Sequence, residues 1–219
     1  MNSSNLPAAV LWDMDGTLID SEPYWLASES EFAKAHNSDW GHDDGLGVIG
    51  MSLYESSKLL KARVGSSLEP QEIIDHITDG VLKQLEKTIP WRPGARELLK
   101  LLKDNNVKTA LVTGSMHRMA RKVADHIGFV AFDVIVGGDD VSKGKPNPES
   151  YLMAAQMLGV EPTHCVSFED SLTGITAAEA AGTKAVGIPH IVEIPMNEGR
   201  ILWRTLEGVT MNDLRELFK

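Results

Sequence analysis

Short apolar runs rich in β-branched residues alternate with stretches of helical periodicity along most of the chain. The apolar runs lie at residues 8–12, 108–112, 132–136, 164–168 and 184–188. Apolar positions with helical spacing lie between them, at residues 95–102, 116–127, 147–158 and 171–181. Because each run is followed by Asp, Gly, Ser or Thr before a helical pattern begins, the alternation is typical of βαβ units. It predicts an α/β fold built on a doubly wound parallel sheet.

One interval interrupts this alternation. Between residues 18 and 90 no run is typical of a buried strand, whereas residues 24–35, 53–64 and 71–85 have the apolar spacing of amphipathic helices. We therefore expect a helical subdomain at 18–90, inserted into a core formed by 1–17 and 91–219. The Pro- and Gly-containing segments 20–23 and 90–94 mark its edges and are candidate hinges. A short closing helix is predicted at 211–219.

Composition excludes several classes of function. The 219 residues are 42% hydrophobic and 24% charged, as in soluble globular proteins. An excess of 31 acidic over 21 basic residues gives a net charge of −10, so we expect binding neither to nucleic acid nor to an anionic membrane surface. No apolar run approaches the ~20 residues of a membrane span.

The single cysteine, Cys165, cannot form an internal disulfide, and the first residues lack the pattern of a signal peptide. These features predict a cytoplasmic protein, and a monomer is the default expectation.

An acidic pair follows the first apolar run directly. Asp13 and Asp15 stand in the string D-M-D-G-T at residues 13–17. Residues two apart on a strand face the same side, so both carboxylates are delivered together at the end of the strand, where open α/β sheets bind ligands. Two adjacent acids there need a cation. Taken alone, the string is equally consistent with a solvated Asp-Gly turn.

Further polar residues follow the later strands. The segment Thr113–Ser115 offers a hydroxyl group followed by flexible backbone, just before a predicted helix. This arrangement suits either phosphate binding or a helix cap. Lys145 lies in a loop restricted by Pro146 and Pro148, although most lysines serve only solubility.

A second acidic pair, Glu169 and Asp170, follows the run at 164–168. Capping of the next helix is the ordinary explanation for such a pair. Together, however, these strand ends place two carboxylate pairs, a hydroxyl and a lysine at one edge of the sheet.

The order of these motifs resembles the haloacid dehalogenase superfamily, in particular the phosphatases and phosphomutases similar to β-phosphoglucomutase. The four motifs are D-M-D-G-T at 13–17, T-G-S at 113–115, G-K-P-N-P at 144–148 and F-E-D-S at 168–171, and the string at 174–182 also matches. The resemblance covers nearly the whole chain. It implies a Rossmann-like core with a helical cap inserted after the first motif.

The resemblance also implies a chemistry. Asp13 would be the nucleophile that forms an aspartyl-phosphate, and Asp15 the general acid and base. Mg²⁺ would bind a side-chain oxygen of Asp13, the backbone carbonyl of Asp15 and the carboxylate of Asp170, with Glu169 assisting directly or through water.

The phosphoryl group would be held by the second and third motifs. Thr113 and the amides of Gly114 and Ser115 would bind its oxygens. Lys145 would neutralise charge on both Asp13 and the phosphoryl group.

The resemblance implies a small phosphorylated metabolite, of the sugar or polyol phosphate class, as substrate, with specificity set by the cap. Candidate cap contacts are Trp25, Gly50 and Ser52, although packing between domains is an equal explanation for Trp25. In the related mutases a basic residue follows the Gly-x-Ser turn, but here Leu53 follows it. A histidine that assists the mutases aligns with Trp25. Both departures favour a phosphatase over a mutase.

Three alternatives are less consistent with the sequence. The dehalogenase branch lacks the second acid, whereas Asp15 is present here. A phosphoacceptor signalling domain has no inserted cap and fits within roughly 120 residues. A binding protein of the same fold without activity is expected to have lost one of the acids, and none is missing.

Overall fold

The computed structural model describes residues 6–219, which form two compact units. One contains the residues up to Ile19 together with Trp91–Lys219, and the other is Asp20–Pro90. This division differs from the predicted one at Leu18 and Ile19. Both are fully buried, and their amides donate to the carbonyl of Met14 at 2.9 and 3.0 Å, which keeps them in the first unit. Residues 1–5 of the predicted core lie outside the described residues.

The first unit is built on a parallel sheet of six strands in the order β3-β2-β1-β4-β5-β6. The strands are β1 (Ala9–Trp12), β2 (Lys108–Val112), β3 (Val134–Val136), β4 (Cys165–Glu169), β5 (Lys184–Gly187) and β6 (Ile201–Leu202). All residues of β1 and β4 are buried, as expected for strands with both faces covered. The order of the strands reverses between β1 and β4, and doubly wound sheets bind their ligands beyond the carboxyl ends of the strands at such a point. The predicted fold class is confirmed.

The helices cover this sheet and form the second unit. In chain order they are α1 (Glu22–Ala35), α2 (His42–Leu46), α3 (Leu53–Val64), α4 (Pro70–Leu85), α5 (Ala95–Asp104), α6 (His117–Asp125), α7 (Glu149–Leu158), α8 (Leu172–Ala180) and α9 (Met211–Glu216). Helix α7 packs on β1, β2 and β3, whereas α8 packs on β4 and β5. None of the described helices combines the length and the apolarity that crossing a membrane requires.

The helical unit, Asp20–Pro90, is organised around α4. Its buried positions, Ile73, Ile77, Val81 and Leu85 among them, form one stripe that packs against α1 and α3. Gly80 allows a close approach to α1, since a Cβ there would lie 2.6 Å from Oγ of Ser28. The predicted amphipathic pattern therefore corresponds to a real packing face.

Local deviations from the sequence prediction have physical reasons. Strand β3 begins at Val134 because the side chain of Asp133 accepts a hydrogen bond from the amide of Thr109 at 2.8 Å and holds a loop there. Helix α2 was not predicted because it buries no residue and has no apolar stripe. Strand β6 was missed because two residues at the sheet edge are too short for a recognisable pattern.

A carboxylate lies in the interior of the helical unit. Glu29 of α1 is only 8% exposed, and its Oε2 accepts a hydrogen bond of 2.8 Å from Nε1 of Trp40. It lines a small cleft together with Trp25, Ser57 and Leu60. Burial raises the pKa of Glu29 to about 7, although the bond from Trp40 opposes the increase.

Replacing Glu29 by Gln should change how the stability of the protein depends on pH. The folded state keeps the proton up to a pKa of about 7, whereas the unfolded chain releases it near the ordinary glutamate value. The stability that this group contributes is thus present at low pH and lost as pH rises through the folded pKa. The free energy of unfolding of E29Q relative to wild type should increase by about 1–3 kcal/mol between about pH 5 and pH 8.

Urea unfolding curves at several pH values provide the measurement. Glu31, exposed on the same helix, supplies the control, and E31Q should parallel wild type at every pH. Parallel profiles for E29Q and wild type would contradict the raised pKa.

Candidate active site

Polar side chains from separate strand ends meet at the carboxyl edge of β1, β2 and β4. Asp13 follows β1 directly, and its amide continues the parallel ladder by donating to the carbonyl of Phe168 at 3.0 Å. Seven side chains lie together here, joined by hydrogen bonds or by short distances between carboxylate oxygens. They are Asp13, Asp15, Thr113, Ser115, Lys145, Glu169 and Asp170. All of them belong to the first unit.

Lys145 is bound on three sides. Its Nζ donates to Oδ1 of Asp13 at 2.7 Å, to the carbonyl of Val112 at 3.0 Å and to Oε1 of Glu169 at 2.6 Å. The carboxylate of Glu149, at the start of α7, accepts the amides of Ser142 and Lys143 at 2.7 and 3.0 Å and so fixes the preceding part of the lysine's loop. The ammonium group is therefore held in one position between two acids.

Burial and charge oppose each other in this cluster. Burial raises the pKa of Asp13 to about 7, the nearby Glu169 adds to the increase, and Lys145 lowers it. For Lys145, burial favours the neutral amine, but the carboxylates of Asp13 and Glu169 outweigh that effect and raise its pKa above the ordinary value. The lysine is therefore charged.

The arrangement fits a divalent cation. Asp13, Glu169 and Asp170 each offer a carboxylate oxygen, and these oxygens lie within 4.8 Å of one another. In the described part of the chain, no donor meets the buried Oδ2 of Asp13. An unsatisfied buried carboxylate oxygen is costly, and oxygen ligands are those that hard cations prefer. Oε1 of Glu169 already accepts two hydrogen bonds, from Lys145 and from Tyr151.

Two glycines make room for the acids. Gly16 has φ +82°, and a Cβ there would lie 2.1 Å from Oδ2 of Asp170. Gly174, in the first turn of α8, would place a Cβ 1.9 Å from Oε2 of Glu169. Any larger residue at either position must displace a carboxylate of the cluster.

Asp15 is tied to the loop after β2. Its Oδ2 accepts hydrogen bonds from Oγ1 of Thr113 at 3.2 Å and from Oγ of Ser115 at 2.7 Å. The amide of Ser115 donates to Oγ1 of Thr113 at 3.0 Å, and Gly114 between them is exposed. Two of the residues predicted to hold the phosphoryl group, Thr113 and Ser115, thus orient Asp15 in this structure. Their phosphate contacts stay a prediction, as does the carbonyl of Asp15 as a metal ligand.

The predicted cap contacts lie in the helical unit. Trp25 is 9% exposed and lines the cleft beside Glu29. Gly50 is exposed with φ +79°, and Oγ of Ser52 caps α3 by accepting the amide of Glu55 at 3.2 Å. Their contacts with a substrate stay predictions.

Sequence reasoning missed three groups at the site. The hydroxyl of Tyr151 donates to Oε1 of Glu169 at 2.5 Å, and the carbonyl of Val112 accepts from Lys145. Oγ1 of Thr17 lies 3.5 Å from Oδ1 of Asp170. Thr17 stands inside the first motif, which is a signal that could have identified it. Tyr151 has no comparable signal, because on the sequence it is one more apolar position of a helix.

Comparison with known proteins identifies the family. A model of the haloacid dehalogenase-like hydrolases matches residues 7–182. The chain belongs to this family. Hexitol phosphatase B of Escherichia coli (strain K12) is 31% identical over 212 residues, covering 95% of this chain and 93% of that protein. β-Phosphoglucomutase of Bacillus subtilis (strain 168) is 31% identical over 216 residues, covering 95% and 94%.

The fold of this haloacid dehalogenase-like hydrolase also matches a solved structure. The crystal structure of β-phosphoglucomutase from Clostridium difficile has a TM-score of 0.81 at 23% identity and covers 97% of each chain. The family and the relatives named as phosphatases show that the protein is a phosphoric monoester hydrolase.

Replacing Gly16 by Ala should separate backbone strain from damage to the site. Gly128 provides a matched control, since it has φ +88° and no atom lies within 4 Å of the position that a Cβ would take there. Both substitutions should lower the free energy of unfolding by about 1–2 kcal/mol through the left-handed backbone. Only Gly16→Ala pushes Asp170 away, so only it should reduce hydrolysis of p-nitrophenyl phosphate, by about 100-fold.

The two readouts are thermal unfolding and initial rates with a divalent cation present. Equal activity in the two alanine variants would show that the position of Asp170 does not matter for hydrolysis.

Proposed function

We propose that this protein is a Mg²⁺-dependent phosphatase that hydrolyses a small sugar or polyol phosphate through an aspartyl-phosphate on Asp13. One observation supports this above others. Lys145 bonds to Oδ1 of Asp13, while Oδ2 of the same carboxylate is buried with no donor among the described residues. A carboxylate oxygen of Asp13 also lies within 4.8 Å of one from Asp170. Asp13 is thus set between an ammonium group and a position that suits a cation. The name of the E. coli relative supports the polyol class of substrate.

In the first step, a carboxylate oxygen of Asp13 attacks phosphorus and the bond from phosphorus to the ester oxygen breaks. Lys145 neutralises charge on both Asp13 and the phosphoryl group, since two anions otherwise repel each other. Asp15 gives its proton to the departing alkoxide. Thr113 and Ser115 help by holding Oδ2 of Asp15, so that the carboxyl group keeps one orientation.

In the second step, Asp15 takes a proton from water, and that water attacks the phosphorus of the aspartyl-phosphate. The bond between phosphorus and Asp13 breaks, which releases inorganic phosphate and restores the free carboxylate. Asp13, the carbonyl of Asp15 and Asp170 would hold Mg²⁺, which would supply further positive charge to stabilise the transferring phosphoryl group.

A phosphohexomutase is the second candidate, because a β-phosphoglucomutase is 31% identical over nearly the whole chain. Leu53 and Trp25 stand where the sequence resemblance leads us to expect the basic residue and the histidine of the mutases. Both departures weaken retention of a bisphosphate and favour transfer to water. We therefore rank the phosphatase first.

A panel of phosphorylated metabolites tests the class of reaction. Sugar and polyol phosphates should release inorganic phosphate with Mg²⁺ and not in the presence of excess EDTA. The panel includes β-glucose 1-phosphate with a bisphosphate primer, followed by separation of the hexose phosphates. Isomerisation faster than phosphate release would establish the mutase instead.

Asp13→Asn tests the nucleophile. The amide has nearly the same shape but cannot form the acyl phosphate, so kcat should fall by about 1,000-fold or more, while circular dichroism and thermal unfolding remain those of a folded protein. Asp125, exposed at the end of α6, supplies a matched control, since Asp125→Asn should leave activity unchanged. Activity of Asp13→Asn close to that of wild type would exclude the covalent intermediate on this residue.

A further inference from the structure

Tyr151 lies beneath the site and contacts both members of its ion pair. Its hydroxyl donates to Oε1 of Glu169 at 2.5 Å, the same oxygen that accepts Nζ of Lys145 at 2.6 Å. Hydrogen bonds from O–H or N–H to a carboxylate are short and about twice as strong as neutral ones. Oε1 of Glu169 is therefore shared between the tyrosine and the lysine.

The ring of Tyr151 contacts the other partner. Nζ of Lys145 lies 5.2 Å from the ring centroid, within the ~6 Å over which an ammonium group is attracted to an aromatic face. One side chain thus meets the carboxylate through its hydroxyl and the ammonium through its ring.

The position of Tyr151 excludes direct contact with a substrate. It lies on the face of α7 that packs on the sheet, is 0% exposed, and belongs to the same core cluster as Leu11 and Val112. A phenylalanine would fill the same volume, but a buried tyrosine needs a partner for its hydroxyl. Here that partner is a carboxylate of the active site and not the backbone.

We propose that Tyr151 is a positioning residue that keeps Lys145 shared between Asp13 and Glu169. Glu169 is 1% exposed, so water cannot readily replace a lost hydrogen-bond donor. If the hydroxyl of Tyr151 is removed, Lys145 is the donor that remains among the hydrogen bonds described for Oε1 of Glu169. The carboxylate then attracts the ammonium more strongly and draws it from Asp13. Gly174 supports the arrangement, because a Cβ there would lie 1.9 Å from Oε2 of Glu169 and would push the carboxylate away from its two donors.

This inference rests on the role of Lys145 in the proposed function and adds the residue that sets its position. Tyr151→Phe removes one oxygen and keeps the ring, so the protein should remain folded. Because the lysine acts mainly as the phosphoryl group is transferred, kcat should fall about tenfold or more, while KM changes by less than about threefold. Tyr151→Leu removes the ring as well and should reduce kcat further.

A double-mutant cycle distinguishes positioning from a general structural role. In a Lys145→Met background, Tyr151→Phe should cause no further loss, because the group it positions is absent. Single-turnover release of phosphate with enzyme in excess measures the slow variants. Ser150, buried on the same helix, supplies the control, and Ser150→Ala should leave kcat and KM unchanged.

The outcomes separate the two proposals. The positioning role alone would be overturned if kcat were unchanged in Tyr151→Phe. It would also be overturned if Tyr151→Phe lowered kcat by the same factor in the wild-type and in the Lys145→Met backgrounds. Full activity of Lys145→Met would instead overturn the role of the lysine in the proposed function. A fall in kcat that disappears in the Lys145→Met background would support the inference.

Discussion

The buried ammonium of Lys145 is the interaction that holds the site together. Asp13, Glu169 and Asp170 lie close together and are at most 6% exposed, and adjacent carboxylates repel one another strongly at low dielectric. Lys145 bonds to two of them. Under the proposed function, a bound cation would relieve the repulsion that remains among the acids and would attract a phosphoryl group.

The sheet makes this concentration of charge possible. Parallel strands end at the same edge, so residues distant in the sequence arrive together without long loops. Lys145 and Asp13 are 132 positions apart and yet form a bond of 2.7 Å. The remaining requirement is space, which Gly16 and Gly174 provide by having no Cβ where Asp170 and Glu169 lie.

The helical unit contains a buried carboxylate of a different kind. The carboxylate of Glu29 accepts a hydrogen bond from the neutral indole N–H of Trp40, whereas that of Asp13 accepts one from the charged ammonium group of Lys145. Burial raises the pKa of both to about 7. Glu29 can relieve the cost of burial by keeping its proton, whereas the ammonium group of Lys145 favours the charged form of Asp13. The same kind of side chain is therefore buried among packing residues in one unit and beside an ammonium group in the candidate site of the other.

The fold class could be predicted from the residues alone, and the pattern at the strand ends, together with the resemblance to a known family, singled out the acids and the lysine that the structure brings together. Strand periodicity, turn residues and the motifs at strand ends are local properties, and the parallel sheet converts their order into proximity. Which donors meet which acceptors, in contrast, was set by the packing of the elements. Tyr151 looks like any buried helical position until α7 packs beneath Glu169, and the bonds from Thr113 and Ser115 to Asp15 join residues about 100 positions apart. Such contacts depend on distances and directions between elements, which no local pattern of residues contains.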